Sequence, residues 1–187
     1  MKPIIMNVNG KAPRIHESAW IAPGAVVAGD VEIGPQAGIW YGAVIRTEHI
    51  PISIGARTNI QDNAVVHSSS MHGPTRLSIG DDVTVGHGAI LHHCNVGNRV
   101  LIGMGSIVLD EAWLEDEVAV AAGTLVGMRT RVPAGNLIIG NPGKIRRNLT
   151  AEEMSAFARG TRTYVEFRDL YRDENKRRDL DKAAPGK

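Results

Sequence analysis

The histidines are the residues of this chain best suited to chemistry. Five of the seven lie between positions 65 and 94, in "VVHSSSMHGPTRLSIGDDVTVGHGAILHHC". Three imidazoles with an open fourth position form the ligand set of a catalytic zinc, and iron or cobalt are further candidates. We take His67, His87 and His92 as the candidate metal ligands. The alternative is that these histidines are merely solvated, which is the better interpretation of any one of them alone but not of the set.

A six-residue repeat must position these side chains. An α-helix would need apolar residues at i, i+3, i+4 and i+7, and a simple amphipathic strand would alternate, so neither produces this period. The period predicts a parallel β-helix, in which short flat strands stack about 4.8 Å apart and each points one aliphatic residue inward. The aliphatic positions form four runs: Ile21, Val27, Ile33, Ile39 and Ile45; Ile54, Ile60 and Val66; Ile79, Val85 and Leu91; and Val96, Ile102, Val108, Leu114, Val120, Val126, Val132 and Ile138.

The repeat places two of the candidate ligands on one face. His67 and His92 each follow an inward residue, and their separation of 25 residues equals one 18-residue coil plus a seven-residue excursion at 72–78. They are therefore predicted to stack on adjacent coils. His87 falls near a corner of the neighbouring face, so a second subunit would have to supply it. Three-fold packing of a triangular prism sets the face of one chain against the corner of the next, which predicts a homotrimer with three shared sites.

Composition excludes several classes of function. The chain has 187 residues, 43% of them hydrophobic, and a net charge of +1, which indicates one domain with a core and no nucleic-acid partner. No run approaches the roughly 18 apolar residues of a membrane span. The single cysteine cannot form an internal disulfide, so we expect a reducing, cytoplasmic setting.

The other histidines and the cysteine have simpler interpretations. His16, His49, His72 and His93 are predicted to be surface residues. Cys94 takes the small-residue position two places before Val96, so we expect it to pack inward as a small hydrophobe.

The repeat ends near residue 148, and a helix is predicted to follow. Thr150 with Glu153 three residues later is a capping box, and the apolar positions after it nearly keep helical spacing. Four of the eight aromatic residues lie in this segment, and packing on a prism face would use them. We predict an all-β solenoid at 1–148, a helix packed on the prism at 149–175, and a flexible tail at 176–187. Glycines directly after the repeat residue, such as Gly80, are predicted to mark corners with tight backbone geometry.

Three segments carry a resemblance to a known family. "VIRTEHIPISIGARTNIQDNAVVH", "GHGAILHHC" and "IGMGSIVLD" resemble the gamma-class carbonic anhydrases, across roughly residues 10 to 171. The hexapeptide repeat alone is weakly specific, because many acyltransferases share this transferase-like fold. The resemblance implies a left-handed β-helix. It also implies a zinc-bound hydroxide at a trimer interface that hydrates carbon dioxide reversibly to bicarbonate.

The resemblance implies a role for each matching residue. His67, His87 and His92 would bind the metal, with His87 contributed across the subunit boundary. Gln61 would contact the metal-bound water or hydroxide, and Asn59 would shape the same pocket. Arg46 and Asp62 would form an ion pair across the trimer interface. In the simpler alternative, Arg46 and Asp62 are ordinary surface charges and the two amides only satisfy turn backbone.

The chain departs from the family pattern in two places. The usual Arg-Gly-Asp is replaced by Arg46-Thr47-Glu48, so the carboxylate of the candidate catalytic residue Glu48 is one methylene longer. The excursion "SSSMHGPT" contains no glutamate, so His72, His49 or buffer would have to carry protons. Tyr164 falls where relatives often place a tyrosine near the site, although core packing is the simpler role. Tyr164 and His72 are therefore candidate accessory residues.

Two other functions stay open from the sequence. One is acyltransferase or thioesterase chemistry on a coenzyme A thioester, in which a histidine acts as a base and no metal is needed. The other is a catalytically silent metal-binding or assembly protein. Stoichiometric zinc would count against the first, and a hydration assay would separate the second from an enzyme.

Overall fold

The hexapeptide repeat folds into three flat sheets that enclose one core. The computed structural model describes residues 2–68 and 76–183. Strands follow one another from sheet to sheet, so that three of them make one coil, and strands of adjacent coils pair in parallel. This is the predicted parallel β-solenoid.

The strand bounds show how short each side of the prism is. The first sheet contains β1 (Ile4–Met6), β4 (Val26–Ala28), β7 (Val44–Thr47), β10 (Val65–Ser68), β13 (Ile90–His92), β16 (Ile107–Val108) and β19 (Leu125–Val126). The second contains β2 (Arg14–Ile15), β5 (Val31–Ile33), β8 (Ile52–Ile54), β11 (Leu77–Ile79), β14 (Asn95–Val96), β17 (Trp113–Leu114) and β20 (Arg131–Val132). The third contains β3 (Trp20–Ile21), β6 (Gly38–Ile39), β9 (Asn59–Ile60), β12 (Thr84–Val85), β15 (Leu101–Ile102), β18 (Ala119–Val120), β21 (Asn136–Gly140) and β22 (Gly143–Asn148). The strand β22 turns back antiparallel to β21 and closes this edge of the third sheet.

The core is the column of repeat residues, as the period predicts. All of those from Val27 to Ile138 are buried, while Ile21, near the start of the prism, is partly buried. Cys94 is fully buried in the same cluster, which confirms its predicted inward packing. Burial raises the pKa of its thiol to about 12, so this cysteine is held in its neutral form.

The corners of the prism require unusual residues for two different reasons. A Cβ atom on Gly80 would lie 2.6 Å from the carbonyl oxygen of Gly97 in the next coil, so the glycine is required by close backbone approach between coils. The left-handed backbone falls two residues later, at Asp82 with φ 56°. Other corners repeat this left-handed backbone, which is why a polar residue or a glycine often stands three places after the inward residue.

The helix α1 (Ala151–Ala183) begins at the predicted capping box. The backbone N–H of Glu153 donates to Thr150 Oγ1 at 3.2 Å, and that of Thr150 donates to Glu153 Oε2 at 2.9 Å. Arg147 binds the same carboxylate with two hydrogen bonds of 2.7 Å, which holds the pKa of Glu153 at about 2. The helix continues to Ala183, into the segment 176–187 that is predicted to be a flexible tail.

The helix packs on the third sheet through aromatic residues, as predicted. Tyr164 and Tyr171 both lie 5.4 Å, between ring centroids, from the buried Trp40. Arg168, which interrupts the apolar positions of the helix, is also buried, and its guanidinium binds the neighbouring Asp169. No helix in the described residues has both the length and the apolar character that a membrane span requires.

Candidate metal centre

Two of the predicted ligands stack on the outer surface of the first sheet. The strands β10 and β13 pair so that His67 lies directly opposite His92, as the 25-residue spacing predicts. The ring centroids are 5.1 Å apart with an interplanar angle of 63°. Both side chains are mostly buried, at 15% and 31% exposure. The pair therefore brings two imidazoles from adjacent coils side by side.

Carboxylates from the two flanking coils hold this histidine pair. The ring nitrogen Nε2 of His67 is 3.0 Å from Glu48 Oε2, on the coil before. The Nδ1 atom of His92 is 2.8 Å from Asp110 Oδ2, on the coil after. Asp110 had no predicted role, although its distance of one coil from His92 was a signal that could have found it.

Glu48 holds a second group besides His67. Its other carboxylate oxygen binds Arg46, whose position is opposite His67 in the register of β7 and β10. The hydrogen bond with His67 and the charge of Arg46 lower the pKa of Glu48. The longer glutamate side chain thus still pairs with an arginine and with a candidate ligand.

The third predicted ligand lies on a different sheet. His87 follows β12 at the corner between the third and first sheets, and 44% of its side chain is exposed. Its Nδ1 atom is 2.9 Å from Asp62 Oδ2, and its Nε2 atom is 3.4 Å from the hydroxyl of Tyr164. Burial raises the pKa of Tyr164, and the Asp62 carboxylate adds to this effect, so the phenol stays protonated.

The predicted pocket amides form one buried chain of hydrogen bonds. Gln61 Nε2 donates to Asn59 Oδ1 at 3.1 Å, and Asn59 Nδ2 donates to Thr84 Oγ1 at 2.9 Å. Thr84 in turn bonds Thr161 of α1 at 3.1 Å. Gln61 and Asn59 are only 4% and 2% exposed. These hydrogen bonds link the corner beside His87 to the helix.

Within one chain, Arg46 and Asp62 do not bond each other, and each binds a neighbouring group. Within the chain Arg46 binds Glu48, and Asp62 binds His87. Both side chains stay at least partly exposed, and a bond across a subunit boundary remains a prediction.

The remaining histidines test the surface prediction. His16 and His49 are exposed, as expected, and His72 lies outside the described residues. The prediction was wrong for His93, which is 1% exposed and whose Nδ1 atom bonds the Ser68 hydroxyl at 2.9 Å. The side of the prism after Leu91 is one residue short. His93 therefore takes the left-handed corner position, with φ 44°, only two places after the inward residue. At this position its ring is buried instead of facing solvent.

The described residues of one chain do not by themselves complete a metal site. Within residues 2–68 and 76–183, no group of three His, Cys, Asp or Glu side chains is arranged to hold an ion. The histidine pair on the first sheet and the lone His87 at the corner are two separate parts.

Comparison with known proteins decides the family. A family model described as bacterial transferase hexapeptide (six repeats) matches residues 12–47. The chain is 41% identical to the carbonic anhydrase of Geobacillus kaustophilus, over 90% of this chain and 91% of that protein. It is also 41% identical to Gamma carbonic anhydrase 2, mitochondrial, of Arabidopsis thaliana, over 91% of this chain. The chain belongs to the gamma carbonic anhydrase family.

The gamma carbonic anhydrase relatives do not all have the length of this chain. The chain spans 63% of the Arabidopsis protein. Among solved structures it is similar to a putative acetyltransferase of Bacillus cereus, with a TM-score of 0.89 and 39% identity over 92% of this chain and 99% of that one. The hexapeptide-repeat fold is therefore shared with proteins that bear a transferase name.

Proposed function

We propose that this member of the gamma carbonic anhydrase family catalyses the reversible hydration of carbon dioxide to bicarbonate at a zinc site shared between subunits. The observation that carries the proposal is the in-register pair of His67 and His92, with ring centroids 5.1 Å apart. Relatives named carbonic anhydrase, at 41% identity over most of the chain, supply the reaction.

The residues present fit the donor set of a catalytic zinc. Metal-binding histidines usually donate their other ring N–H to a carboxylate, and each of the three candidate ligands has such a partner. His92 and His87 bond Asp110 and Asp62 through Nδ1, whereas His67 bonds Glu48 through Nε2. Iron or cobalt would suit the same imidazoles. When bound, such an ion supplies a water with a pKa near 7, and hence a nucleophile at neutral pH.

Gln61 orients the nucleophile in this proposal. Its amide nitrogen is committed to Asn59, so Oε1 is the acceptor left for a hydrogen bond from the attacking water. A fixed acceptor turns the lone pair of that water towards the carbon of the substrate. The exposed His49 beside Glu48 would carry protons to buffer.

A column of aliphatic side chains on the first sheet supports assembly into a homotrimer. The register of this sheet aligns residues that all point outward beside the histidine pair, and Ile90 among them is 38% exposed. Exposed aliphatic surface of this kind marks an interaction site. A neighbour that covered it would bring its own His87 corner to His67 and His92. We name this set the aliphatic column, and it consists of Ile4, Val26, Val44, Val65, Ile90, Ile107 and Leu125.

Measurements on one purified sample test the proposal. Zinc content, sedimentation mass and carbon dioxide hydration rate are measured for the wild type, His92→Ala and the control His16→Ala, which removes an exposed histidine far from the pair. We expect a trimer with one zinc per chain whose hydration rate collapses in His92→Ala and is unchanged in His16→Ala. Equal rates in all three proteins would overturn the proposal.

One observation favours a transferase as the second candidate, namely the similarity to the Bacillus cereus protein named a putative acetyltransferase. Coenzyme A binding without zinc would support that reading. Zinc binding without turnover would support the catalytically silent alternative. A cytoplasmic location is also part of the proposal, since the only cysteine is buried and unpaired.

A further inference from the structure

We propose that Asp110 is the positioning residue that orients His92 and sets its tautomer for metal binding. Asp110 is the last residue of the segment "IGMGSIVLD", and neither the repeat nor the predicted ligand set assigns a role to Asp110 itself. The inference rests on the proposed function, because it concerns the ligand geometry of the same site.

The backbone places Asp110 rigidly beside His92. The strands β13 and β16 pair so that Leu91 faces Val108, and Asp110 follows Val108 by two residues. Its carbonyl accepts a hydrogen bond of 2.9 Å from Arg129 on the next coil, and Glu111 after it takes the left-handed corner conformation. The position of Asp110 is therefore determined by the coil itself rather than by a loop.

The side-chain geometry determines which nitrogen His92 uses. The Asp110 carboxylate accepts the Nδ1 proton of His92 at 2.8 Å, and its side chain is only 22% exposed, so water competes weakly for this bond. With the proton held on Nδ1, any metal ligation by His92 uses Nε2. The bond also restricts rotation of the ring, so the loss of side-chain entropy on metal binding is smaller.

The other two carboxylates bond imidazoles other than that of His92. Glu48 bonds the opposite ring nitrogen of His67, Nε2, and divides its oxygens between His67 and Arg46. Asp62 holds Nδ1 of His87, which lies at the corner of the third sheet. Asp110 is thus the carboxylate that fixes the tautomer of His92.

Zinc affinity and the tautomer of His92 test the inference. Asp110→Asn keeps the size of the side chain but removes its charge, and Asp110→Glu restores a carboxylate. Glu111→Gln is the matched control, since this neighbouring carboxylate binds Arg129 and not His92. Zinc Kd is measured by competition with a chelator, the tautomer by ¹⁵N NMR of the histidine rings in metal-free protein, and folding by thermal unfolding.

We expect Asp110→Asn to weaken zinc binding about 10- to 100-fold and to shift His92 towards a mixture of tautomers. Glu111→Gln should leave both unchanged, and Asp110→Glu should recover part of the affinity. Equal zinc affinity in the wild type and Asp110→Asn, with unchanged ring signals, overturns the role of Asp110 alone. Failure of the wild type to bind zinc overturns the proposed function instead.

Discussion

The buried hydrogen bonds that link Gln61 through Asn59 and Thr84 to Thr161 predict how Asn59→Ala changes stability. The substitution removes the acceptor of Gln61 Nε2 at 3.1 Å and the donor to Thr84 Oγ1 at 2.9 Å. Thr84 keeps Thr161 as a partner, so its lost bond costs about 1 kcal/mol, whereas the buried Gln61 amide is left unsatisfied at about 1–3 kcal/mol. The free energy of unfolding should therefore fall by about 2–4 kcal/mol.

Urea unfolding measures this difference, with an unchanged m-value as the sign that the native fold persists. The control is Asn95→Ala on the second sheet, where the asparagine is partly exposed and accepts hydrogen bonds from Ser78. Because water can replace those bonds, we expect a loss of about 1 kcal/mol there. Equal losses of unfolding free energy at the two positions would contradict the inference that water does not reach the hydrogen bonds of Asn59.

The same variant tests how Asn59 acts on turnover. If it acts only by holding Gln61, then Asn59→Ala should lower kcat for hydration, and adding it to Gln61→Ala should change kcat little further. Effects of linked residues are not additive, and a double-mutant cycle isolates the coupling. Independent, multiplicative losses would refute the reasoning that one amide positions the other.

Three further predictions concern the scaffold. The pKa of Glu153 is about 2 in the folded chain, against an ordinary 4.5. Its stabilising effect is therefore complete above about pH 4.5 and is lost as the pH falls towards 2. The unfolding curves of the wild type and Glu153→Gln should converge over this range. Ile90→Asp places a charge in the aliphatic column and should shift the sedimenting species to monomer, whereas Trp113→Asp on the second sheet should not. Gly80→Ala should destabilise the fold by about 1–3 kcal/mol, because the added Cβ meets the backbone of the next coil. Gly160→Ala should stabilise it by up to about 1 kcal/mol, because this helical glycine has open space around it. Thermal unfolding measures both changes.

The regular parts of the fold were predictable because one period governs both backbone and core. A six-residue repeat determines which side chain points inward, so the burial of Leu91 and the alignment of His67 with His92 both follow from counting. Counting fails where a side of the prism loses a residue. His93 is buried for that reason, because the shortened corner rotates it inward and no repeat position describes it.

Side-chain partners were harder to predict than the register of the coils. Asp62 and His87 are 25 residues apart, as His67 and His92 are, but this spacing does not show which groups their side chains bond. The helix extent beyond residue 175 also escaped prediction, since mixed-charge residues favour a tail as readily as a helix.

The spacing of these carboxylates shows how a solenoid supports a metal site. Glu48 lies on the coil before His67, 19 residues away, and Asp110 lies on the coil after His92, 18 residues away. Adjacent coils lie about 4.8 Å apart, so an outward carboxylate two or three places past the inward residue reaches an imidazole on the neighbouring coil. Asp62 and His87 repeat this geometry at the corner, where the pairing of β9 with β12 aligns them. A substitution at any of these outward positions leaves the inward column unchanged, so the prism can alter its ligands while keeping its fold.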